Sequence, residues 1–272
     1  MKLTLKKIED FQKIILNHYK KNGRIFPWRE TNDPYAILIS EVMLQQTQVT
    51  RVITKFEEWM KEFPDWESLA DASLQGVLRV WQGMGYNRRA KALRDIAQRM
   101  VAEFNSTLPQ DPTVLQTFPW IGPHTAGSIC AFAFNIPTIF IETNVRTVYL
   151  HHFFKNKTGI SDTQIEPLVA QTVYRKNPRI WYNAIMDYGT KIKAENPNPS
   201  RNSKHYAKQS KFEGSDRQIR GMILKHLTHS PHTPTALGKK ITPDKTRLNT
   251  IVKNLVKDGM ITKSGRSYKL ST

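Results

Sequence analysis

Cysteine is almost absent from this sequence, because Cys130 is the only one among 272 residues. A single thiol excludes an internal disulfide, a zinc site built from several thiolates and an iron–sulfur cluster held by cysteines. The sequence also lacks any run of about 18 apolar residues that would suit a membrane-spanning helix. Its first residues, Met1 to Lys6, lack the apolar stretch of a secretory signal. We therefore expect a cytoplasmic protein without a membrane partner, a metal or a cofactor.

Acidic residues are few beside basic ones. The chain has 41 Lys and Arg against 23 Asp and Glu, which gives a formal net charge of +18. Lysine and arginine displace counterions from a phosphate backbone, so this excess favours a polyanionic partner. A basic protein without such a partner is the alternative. Binding to a membrane surface is less favoured, because the basic residues are spread along the whole chain.

Turn residues divide the chain from Leu5 to about Lys193 into stretches with helical apolar spacing, and period-two alternation is almost absent. This part is therefore predicted to be an all-α domain. The predicted helices cover residues 6–21, 35–63, 67–81, 87–104, 123–134 and 145–154. Residues 196–205 are rich in Pro, Asn and Ser, and residues 196–215 are predicted to form a basic linker.

From residue 216 onward the pattern is typical of a winged helix-turn-helix. The predicted elements are helices at 217–227 and 235–240, a third helix between Asp244 and Gly259, and strands at 260–263 and 266–270. The segment carries twelve Lys or Arg against three Asp, which is half of the net charge. The third helix is predicted to enter the major groove of double-stranded DNA. Its candidate contacts are Lys245, Arg247, Asn249 and Lys253. The alternative is a small packing module whose charges are solvated.

Glu41 lies in an apolar stripe of a predicted helix, since Ile37, Leu38 and Leu44 fall on its face. Desolvation raises the pKa of such a carboxyl, as a general acid that works near neutral pH requires. The alternative is a partly buried glutamate paired with a nearby arginine such as Arg29 or Arg51.

Glu142 stands where an apolar run gives way to another predicted helix. The positive end of a helix and its exposed N–H groups keep a carboxylate ionised. Cleavage of a glycosidic bond uses one protonated carboxyl, which helps the leaving group depart, and one ionised carboxylate, which stabilises the sugar cation. Glu41 and Glu142 are candidates for these two roles. An ordinary acidic residue at a helix start is the alternative for Glu142.

Residues Leu115 to Ala126 are predicted to form a helix, a tight turn and a second helix. Such a hairpin directs backbone N–H groups outward at a helix N-terminus, where they can hold a phosphate without reading sequence. Gly122 and Thr125 are the candidate phosphate-binding residues. An ordinary turn between packed helices is the alternative.

Six motifs between about residues 11 and 193 together resemble the helix-hairpin-helix glycosylase superfamily, and within it the MutY-type adenine glycosylases. The longest and most specific is Ser40-Glu-Val-Met-Leu-Gln-Gln-Thr-Gln-Val49. The others are Pro27-Trp-Arg29, Trp81-Gln-Gly-Met-Gly-Tyr-Asn-Arg-Arg-Ala90, Phe118-Pro-Trp-Ile-Gly-Pro-His-Thr-Ala126, Glu142-Thr-Asn-Val-Arg146 and Met186-Asp-Tyr-Gly189.

This resemblance implies roles for individual residues. Glu41 is expected to protonate the departing adenine, and Glu142 stands at the position of the family's catalytic Asp, assisted by Asn144. Gln46 and Tyr86 are expected to wedge into the base stack around the extruded nucleotide. Within the same motifs, Arg29 and Arg88 are expected to contact DNA.

The sequence departs from the family pattern at four places. Glu142 replaces an Asp, and Trp120 replaces a glycine of the hairpin, where a backbone conformation that favours glycine is expected. His124 stands where bifunctional relatives carry a Schiff-base lysine, so we expect base removal without β-elimination. The four-cysteine cluster motif is missing, and Ser200 and Ser203 lie about where cysteines are expected.

The sequence thus predicts a mostly α protein with a helix-hairpin-helix DNA glycosylase domain (1–195), a basic linker in place of the iron–sulfur loop (196–215) and a winged helix-turn-helix (216–272). We expect a monomeric, nucleoid-associated enzyme that removes adenine mispaired with guanine or 8-oxoguanine. Two alternatives stay open. One is a thymine or uracil mismatch glycosylase of the same fold, and the other is a DNA-binding protein without catalysis.

Overall fold

The structure, a computed structural model, describes residues 1–207, 211–242 and 244–271. Within these residues it contains fourteen α-helices and one two-stranded sheet, so the protein is mostly helical. The elements are α1 (Leu5–Asn22), α2 (Pro34–Leu44), α3 (Val49–Glu62), α4 (Trp66–Asp71), α5 (Leu74–Val80), α6 (Arg88–Phe104), α7 (Pro112–Leu115), α8 (Pro123–Phe134), α9 (Thr143–Phe153), α10 (Asp162–Thr172), α11 (Pro178–Glu195), α12 (Asp216–Leu227), α13 (Pro234–Ile241), α14 (Lys245–Lys257), β1 (Ile261–Ser264) and β2 (Ser267–Leu270). None of these helices is both long and apolar enough to span a membrane.

The chain forms two compact units, and each is built from two separate stretches of sequence. The first unit comprises Met1–Glu41 and Pro109–Lys208, and the second comprises Val42–Leu108 and Gln209–Thr272. This grouping differs from the predicted division into 1–195, 196–215 and 216–272, which followed chain order. The C-terminal helices belong with Val42–Leu108 because they pack on that stretch.

The core of the first unit combines aliphatic side chains with large aromatic ones where α1, α9, α10 and α11 meet. Tyr149, Trp181 and Tyr182 are fully buried, and the ring of Phe11 lies 5.5 Å from that of Tyr149. Burial of one such side chain stabilises the fold by roughly 1.5–3 kcal/mol. This core fixes the position of α9, whose N-terminus carries Glu142.

In the second unit, α4 packs along α6, and Trp59 meets Trp81 edge to face at 5.5 Å. The C-terminal helices are tied to this layer by hydrogen bonds. The side chain of Gln75 in α5 donates to the carbonyl of Thr228 at 2.6 Å, directly after α12. Asp258, after α14, accepts from Arg220 at 2.6 Å and lies 3.6 Å from Arg88 at the start of α6.

The predicted helix 35–63 is wrong in its continuity, because the structure has two helices, α2 and α3, with a break at residues 45–48. Gln46 in this break has a left-handed backbone, with φ +54°. The break is stable because Arg89 donates to the carbonyls of Val42, Met43 and Gln45, which a continued helix would have used. The predicted helix 67–81 is likewise divided into α4 and α5, since Ser73 caps α5.

Residues 196–207 of the predicted linker pack on the first unit. The backbone of Ile160 donates to the carbonyl of Asn202 at 3.2 Å and accepts from Lys204 at 2.9 Å. The hydroxyls of Ser200 and Thr147 are 2.6 Å apart and buried. Residues 208–210 of the linker lie outside the described residues.

The C-terminal segment contains three helices and a hairpin in the order that the sequence predicts. Asp244 caps α14 by accepting from the backbone of Arg247 at 2.9 Å, and Pro243 of the predicted start signal lies outside the described residues. In the hairpin, Ser264 pairs with Ser267, so the turn is one residue later than predicted. Its first residue, Gly265, has φ +58°. The assignment as a winged helix stays a prediction.

Candidate active site

Glu41 sits on α2 among buried residues of the first unit, and its own side chain is only partly exposed. The pKa of Glu41 is raised to about 7, mainly by burial and also by the nearby carboxylate of Glu142. A hydrogen bond from Ser128 and the charge of Arg29 act in the opposite direction. The raised pKa predicted from the apolar stripe agrees with this environment.

Ser128 on α8 is the nearest polar partner of Glu41. Its hydroxyl lies 2.5 Å from Oε2 of Glu41 and 3.0 Å from the carbonyl oxygen of Thr125. The side chain is buried, so no solvent replaces these contacts. Sequence reasoning missed this residue, although a serine inside the apolar run of α8 is a signal, because a buried hydroxyl needs a partner.

Glu142 is the residue that caps α9. Its Oε1 accepts from the backbone N–H groups of Asn144 at 2.6 Å and Val145 at 2.8 Å, and its Oε2 accepts from the side-chain amide of Asn144 at 3.3 Å. Burial raises the pKa of Glu142, whereas the two backbone N–H groups and the charges of Lys193 and Arg146 lower it. The predicted place at a helix start is thus confirmed, but burial opposes the ionised state that the helix terminus favours.

Gly189 on α11 allows Asn144 to come close. A Cβ atom at this glycine would lie 2.7 Å from the carbonyl oxygen of Asn144 and 2.8 Å from its Cβ, closer than such atoms approach. Packing therefore requires the glycine of the Met186-Asp-Tyr-Gly189 motif, because a larger residue at this position would displace the start of α9 and with it Glu142.

Asp187 in the same motif binds two arginines. Both guanidinium nitrogens of Arg29 donate to its oxygens at 2.9 Å, and the Nε of Arg24 donates at 2.7 Å. These bonds hold the pKa of Asp187 below its usual range despite burial. The Arg29 side chain is only 9% exposed. The structure therefore places Arg29 in a buried ion pair that holds α11, and its contact with DNA stays a prediction.

The hairpin before α8 has an unusual backbone. Trp120 adopts φ +65°, so the left-handed conformation expected of a glycine is kept by a tryptophan. Gly122 is the exposed N-cap of α8, and Pro123 is its first residue. His124 is exposed, and its Nδ1 accepts from the backbone of Ile141 at 3.4 Å. Thr125 is partly exposed in the first turn.

The second unit carries the two predicted wedge residues. Gln46 is exposed in the turn after α2, and Tyr86 lies in the turn before α6 with φ +46°. Arg89, which is 1% exposed, ties both turns together. Its guanidinium donates to the carbonyls of Val42, Met43, Gln45, Met84 and Gly85 and to the hydroxyl of Thr47, at 2.6 to 3.4 Å. Burial lowers the pKa of Arg89 to about 10, so it stays charged at neutral pH.

The other predicted DNA contacts lie on the surface of the second unit. The Arg88 side chain is 52% exposed beside Asp258, and Lys245 is exposed at the start of α14. Arg247 is partly exposed on the same unit, and its groove contact stays a prediction. It is bound within the unit, because it donates to Asp216 and to the carbonyl of Gly214, both at 2.7 Å. A groove contact through Arg247 would require these bonds to break.

The residues that stand in place of the iron–sulfur loop do not fit such a cluster. Its ligands are thiolates, and the only cysteine, Cys130, lies in α8, where its thiol donates to the carbonyl of Gln110 at 3.2 Å. Ser200 instead bonds to Thr147. At Ser200, where the family resemblance suggests a cysteine, a buried serine hydroxyl therefore contacts the hydroxyl of Thr147.

Comparison with known proteins places this site in a family context. Residues 39–173 match the model of the HhH-GPD superfamily base excision DNA repair proteins. The chain is 34% identical over 187 residues to an adenine DNA glycosylase of Buchnera aphidicola subsp. Baizongia pistaciae, covering 67% of this chain and 52% of that protein. It therefore spans about half the length of that relative. It is 28% identical to an adenine DNA glycosylase of Mycobacterium tuberculosis, covering 92% of this chain and 90% of the relative.

Solved structures share the fold. A thermostable thymine-DNA glycosylase superposes with a TM-score of 0.64 at 22% identity, over 71% of this chain and 91% of that one. An endonuclease III in a non-covalent DNA complex superposes with a TM-score of 0.60 at 17% identity, over 72% and 90% of the two chains. The matched residues 39–173 contain Glu41, Glu142 and the hairpin before α8. This chain belongs to the HhH-GPD superfamily of base excision DNA repair proteins.

Proposed function

We propose that this protein is a monofunctional DNA N-glycosylase that removes adenine mispaired with guanine or 8-oxoguanine and leaves an abasic site. The observation that carries this proposal is the pair of carboxyl groups of the first unit, Glu41 and Glu142, which have different hydrogen-bond partners. The names of the relatives support adenine as the base. The preference for the opposite base comes from the MutY resemblance alone.

Glu41 acts as the general acid in this mechanism. With a pKa of about 7, a substantial fraction of Glu41 is protonated at neutral pH. It gives this proton to a ring nitrogen of the extruded adenine as the bond between C1′ and the base breaks. The bonding electron pair leaves with the base, and a cation develops on the sugar.

Glu142 stabilises that cation as a carboxylate. Its two oxygens accept three N–H bonds from Asn144 and Val145, and N–H donors favour the ionised form. Glu41 has a hydroxyl partner instead, so we assign the proton of the pair to Glu41. Water then adds to C1′ and loses its proton to a carboxylate, which completes hydrolysis.

Exposed groups of each unit supply the DNA contacts. The N-terminus of α8 at Gly122 and Thr125 presents backbone N–H groups to a phosphate. His124 has no primary amine for a Schiff base, so the reaction stops at the abasic site. In the second unit, Gln46 and Tyr86 enter the base stack, and Arg88 and Lys245 contact phosphates of the duplex.

Single-turnover incubation with labelled duplexes tests the proposal. The duplexes carry A opposite 8-oxoguanine, A opposite G, T opposite G, or U opposite G, and each sample is read with and without hot alkali. Strand breaks that need alkali and occur mainly in the two adenine duplexes are expected. Breaks confined to T or U would replace the substrate, and binding without breaks would leave only a DNA-binding protein.

Two variants tie the activity to the site. Glu41→Gln keeps the shape but carries no acidic proton, so base release should fall by about 100-fold or more. Glu57→Gln changes an exposed glutamate on α3 and serves as the control, with no expected effect. Equal rates for both variants would show that Glu41 is not the acid.

A further inference from the structure

Tyr86 is contacted by a residue from the C-terminal segment. Its phenolic oxygen accepts a hydrogen bond from Nη1 of Arg217 on α12 at 2.8 Å, and the guanidinium carbon lies 5.7 Å from the ring centroid. Arg89 lies 5.5 Å from the same ring. Two cations from different parts of the second unit therefore surround one tyrosine ring, and one of them also bonds its hydroxyl.

The helix that carries Arg217, α12, is held at both of its ends. Ser215 caps the start of α12 by accepting from the backbone of Gln218, and the carbonyl of Thr228 at its end accepts from Gln75. The next turn of the helix is tied down through Arg220 and Asp258. Arg217 therefore lies on a helix whose position is fixed by contacts within the second unit.

The backbone around Tyr86 does not by itself fix the orientation of the ring. Tyr86 lies in a turn that follows Gly83 and Gly85, which both have positive φ, and precedes the start of α6. Its own φ is +46°. A ring in this turn has no helix or strand to orient it. Contacts to Arg89 and Arg217 restrict its rotamers, and a restricted side chain loses less entropy when it enters a base stack.

We propose that Arg217 is a positioning residue for Tyr86, so that the C-terminal segment takes part in base extrusion as well as in DNA binding. The inference rests on the proposed function, because it assigns to Tyr86 the wedge role. A charge-assisted hydrogen bond to a partly buried arginine such as Arg217 is worth about tenfold in an equilibrium. Loss of Arg217 should therefore reduce the extruded population about tenfold.

A double-mutant cycle tests this coupling. Arg217→Ala, Tyr86→Phe and the double variant are compared, since Tyr86→Phe removes only the hydroxyl that accepts from Arg217. Lys225→Ala is the matched control, because it removes one exposed positive charge from the same helix two turns away. Arg217→Lys keeps the charge and should recover part of the loss. Thermal melting of each variant identifies any that fails to fold, and Tyr86→Phe keeps the test open in that case.

Extrusion is read separately from chemistry. Duplexes with 2-aminopurine at the adenine position are bound by each variant in a Glu41→Gln background, and the rise in fluorescence reports the unstacked base. Single-turnover release of adenine is measured with the acid intact. The two single variants and the double variant should show the same loss of about tenfold in both assays, with duplex affinity changed no more than by Lys225→Ala.

Three results would overturn the inference. The losses of Arg217→Ala and Tyr86→Phe could multiply in the double variant, which would mean that the residues act independently. Arg217→Ala could behave as Lys225→Ala does, which would reduce it to one more phosphate contact. A wild-type protein that unstacks no 2-aminopurine would overturn both this inference and the wedge role. A fluorescence rise without base release would instead contradict only the proposed catalytic function.

Discussion

The hydroxyl of Ser128 lies within hydrogen-bond distance of both Oε2 of Glu41 and the carbonyl oxygen of Thr125, at 2.5 and 3.0 Å. A hydroxyl has only one proton to donate, so the state of Glu41 decides which oxygen receives it. When Glu41 is ionised, Ser128 donates to the carboxylate. When Glu41 is protonated, Ser128 accepts from it and donates to Thr125. Ser128 stabilises ionised Glu41 more than protonated Glu41, because a hydrogen bond to a carboxylate is stronger than one between neutral groups.

Replacement of Ser128 by alanine should therefore move the pH profile of base release. The hydrogen bond lowers the pKa of Glu41, so its loss raises that pKa above about 7. The general acid is active when protonated, and its protonated fraction falls as the pH rises through the pKa. We expect the falling limb of single-turnover release in Ser128→Ala to lie at higher pH than in wild type, with the low-pH plateau reduced by less than about tenfold. A falling limb that stays in place or moves to lower pH would contradict the contact.

Glu41→Gln should change the stability of the protein in a pH-dependent way. The folded-state pKa of about 7 lies above the ordinary value near 4.5, so the folded protein binds this proton more tightly than the unfolded chain. Stability from this group is complete below pH 4.5 and is lost as the pH rises to 7. The neutral amide avoids that loss. Denaturant unfolding should show the variant more stable than wild type by up to about 3 kcal/mol at pH 8, relative to their difference at pH 4.

The exposed Glu57→Gln provides the comparison for this measurement, since it removes the same charge from α3 without burial. Its difference from wild type should stay nearly constant over the same pH range. A Glu41→Gln variant that follows Glu57→Gln at every pH would show that Glu41 is not desolvated in the folded protein.

Gly189→Ala should disturb the start of α9. The added methyl group would meet backbone and side-chain atoms of Asn144 at 2.7 and 2.8 Å, and backbone cannot yield as a flexible side chain does. Overpacking of this kind costs roughly 1–3 kcal/mol, and a shift of about 1 Å in Glu142 lowers the rate about 100-fold. Gly221→Ala on α12 is the control, because nothing lies within 4 Å of its added Cβ. That control should stabilise the protein by roughly 0.5–1 kcal/mol. Equal melting temperatures for the two variants would disprove the close approach.

Local sequence patterns predicted the parts of the site that depend on neighbours in the chain. Glu41 in an apolar stripe and Glu142 at a helix start both follow from spacing over a few residues, and the structure places them there. Arg89 and Asp187 could not be assigned in this way. The acceptors of Arg89 at the end of α2 and in the turn that follows lie 42 to 47 residues earlier, and Arg24 and Arg29 lie about 160 residues before Asp187. Such partners are fixed by the fold and not by local spacing.

The same reason explains where the prediction of the fold differed. The apolar spacing of residues 35–63 continues through the break at Gln46, so periodicity indicated a single helix. The carbonyls that end α2 are taken by Arg89, which belongs to another helix. The ion pair of Arg247 on α14 could likewise not be predicted from local spacing, because its partner Asp216 lies 31 residues earlier, on α12.

Trp120 provides a test of backbone strain in the hairpin. Its φ of +65° is unfavourable for any residue with a Cβ atom and costs nothing extra for glycine. Because the indole also makes contacts of its own, the comparison is between Trp120→Ala and Trp120→Gly, which both remove the ring. Glycine usually destabilises a protein relative to alanine, but at this position Trp120→Gly should be more stable than Trp120→Ala by about 1 kcal/mol in denaturant unfolding. The same pair at Glu57, on the exposed face of α3, should show the opposite order, since glycine in a helix is the less stable choice. If alanine were the more stable residue at both positions, the hairpin would not hold a left-handed residue at Trp120, and the geometry that we propose for phosphate binding before Gly122 would have to be different.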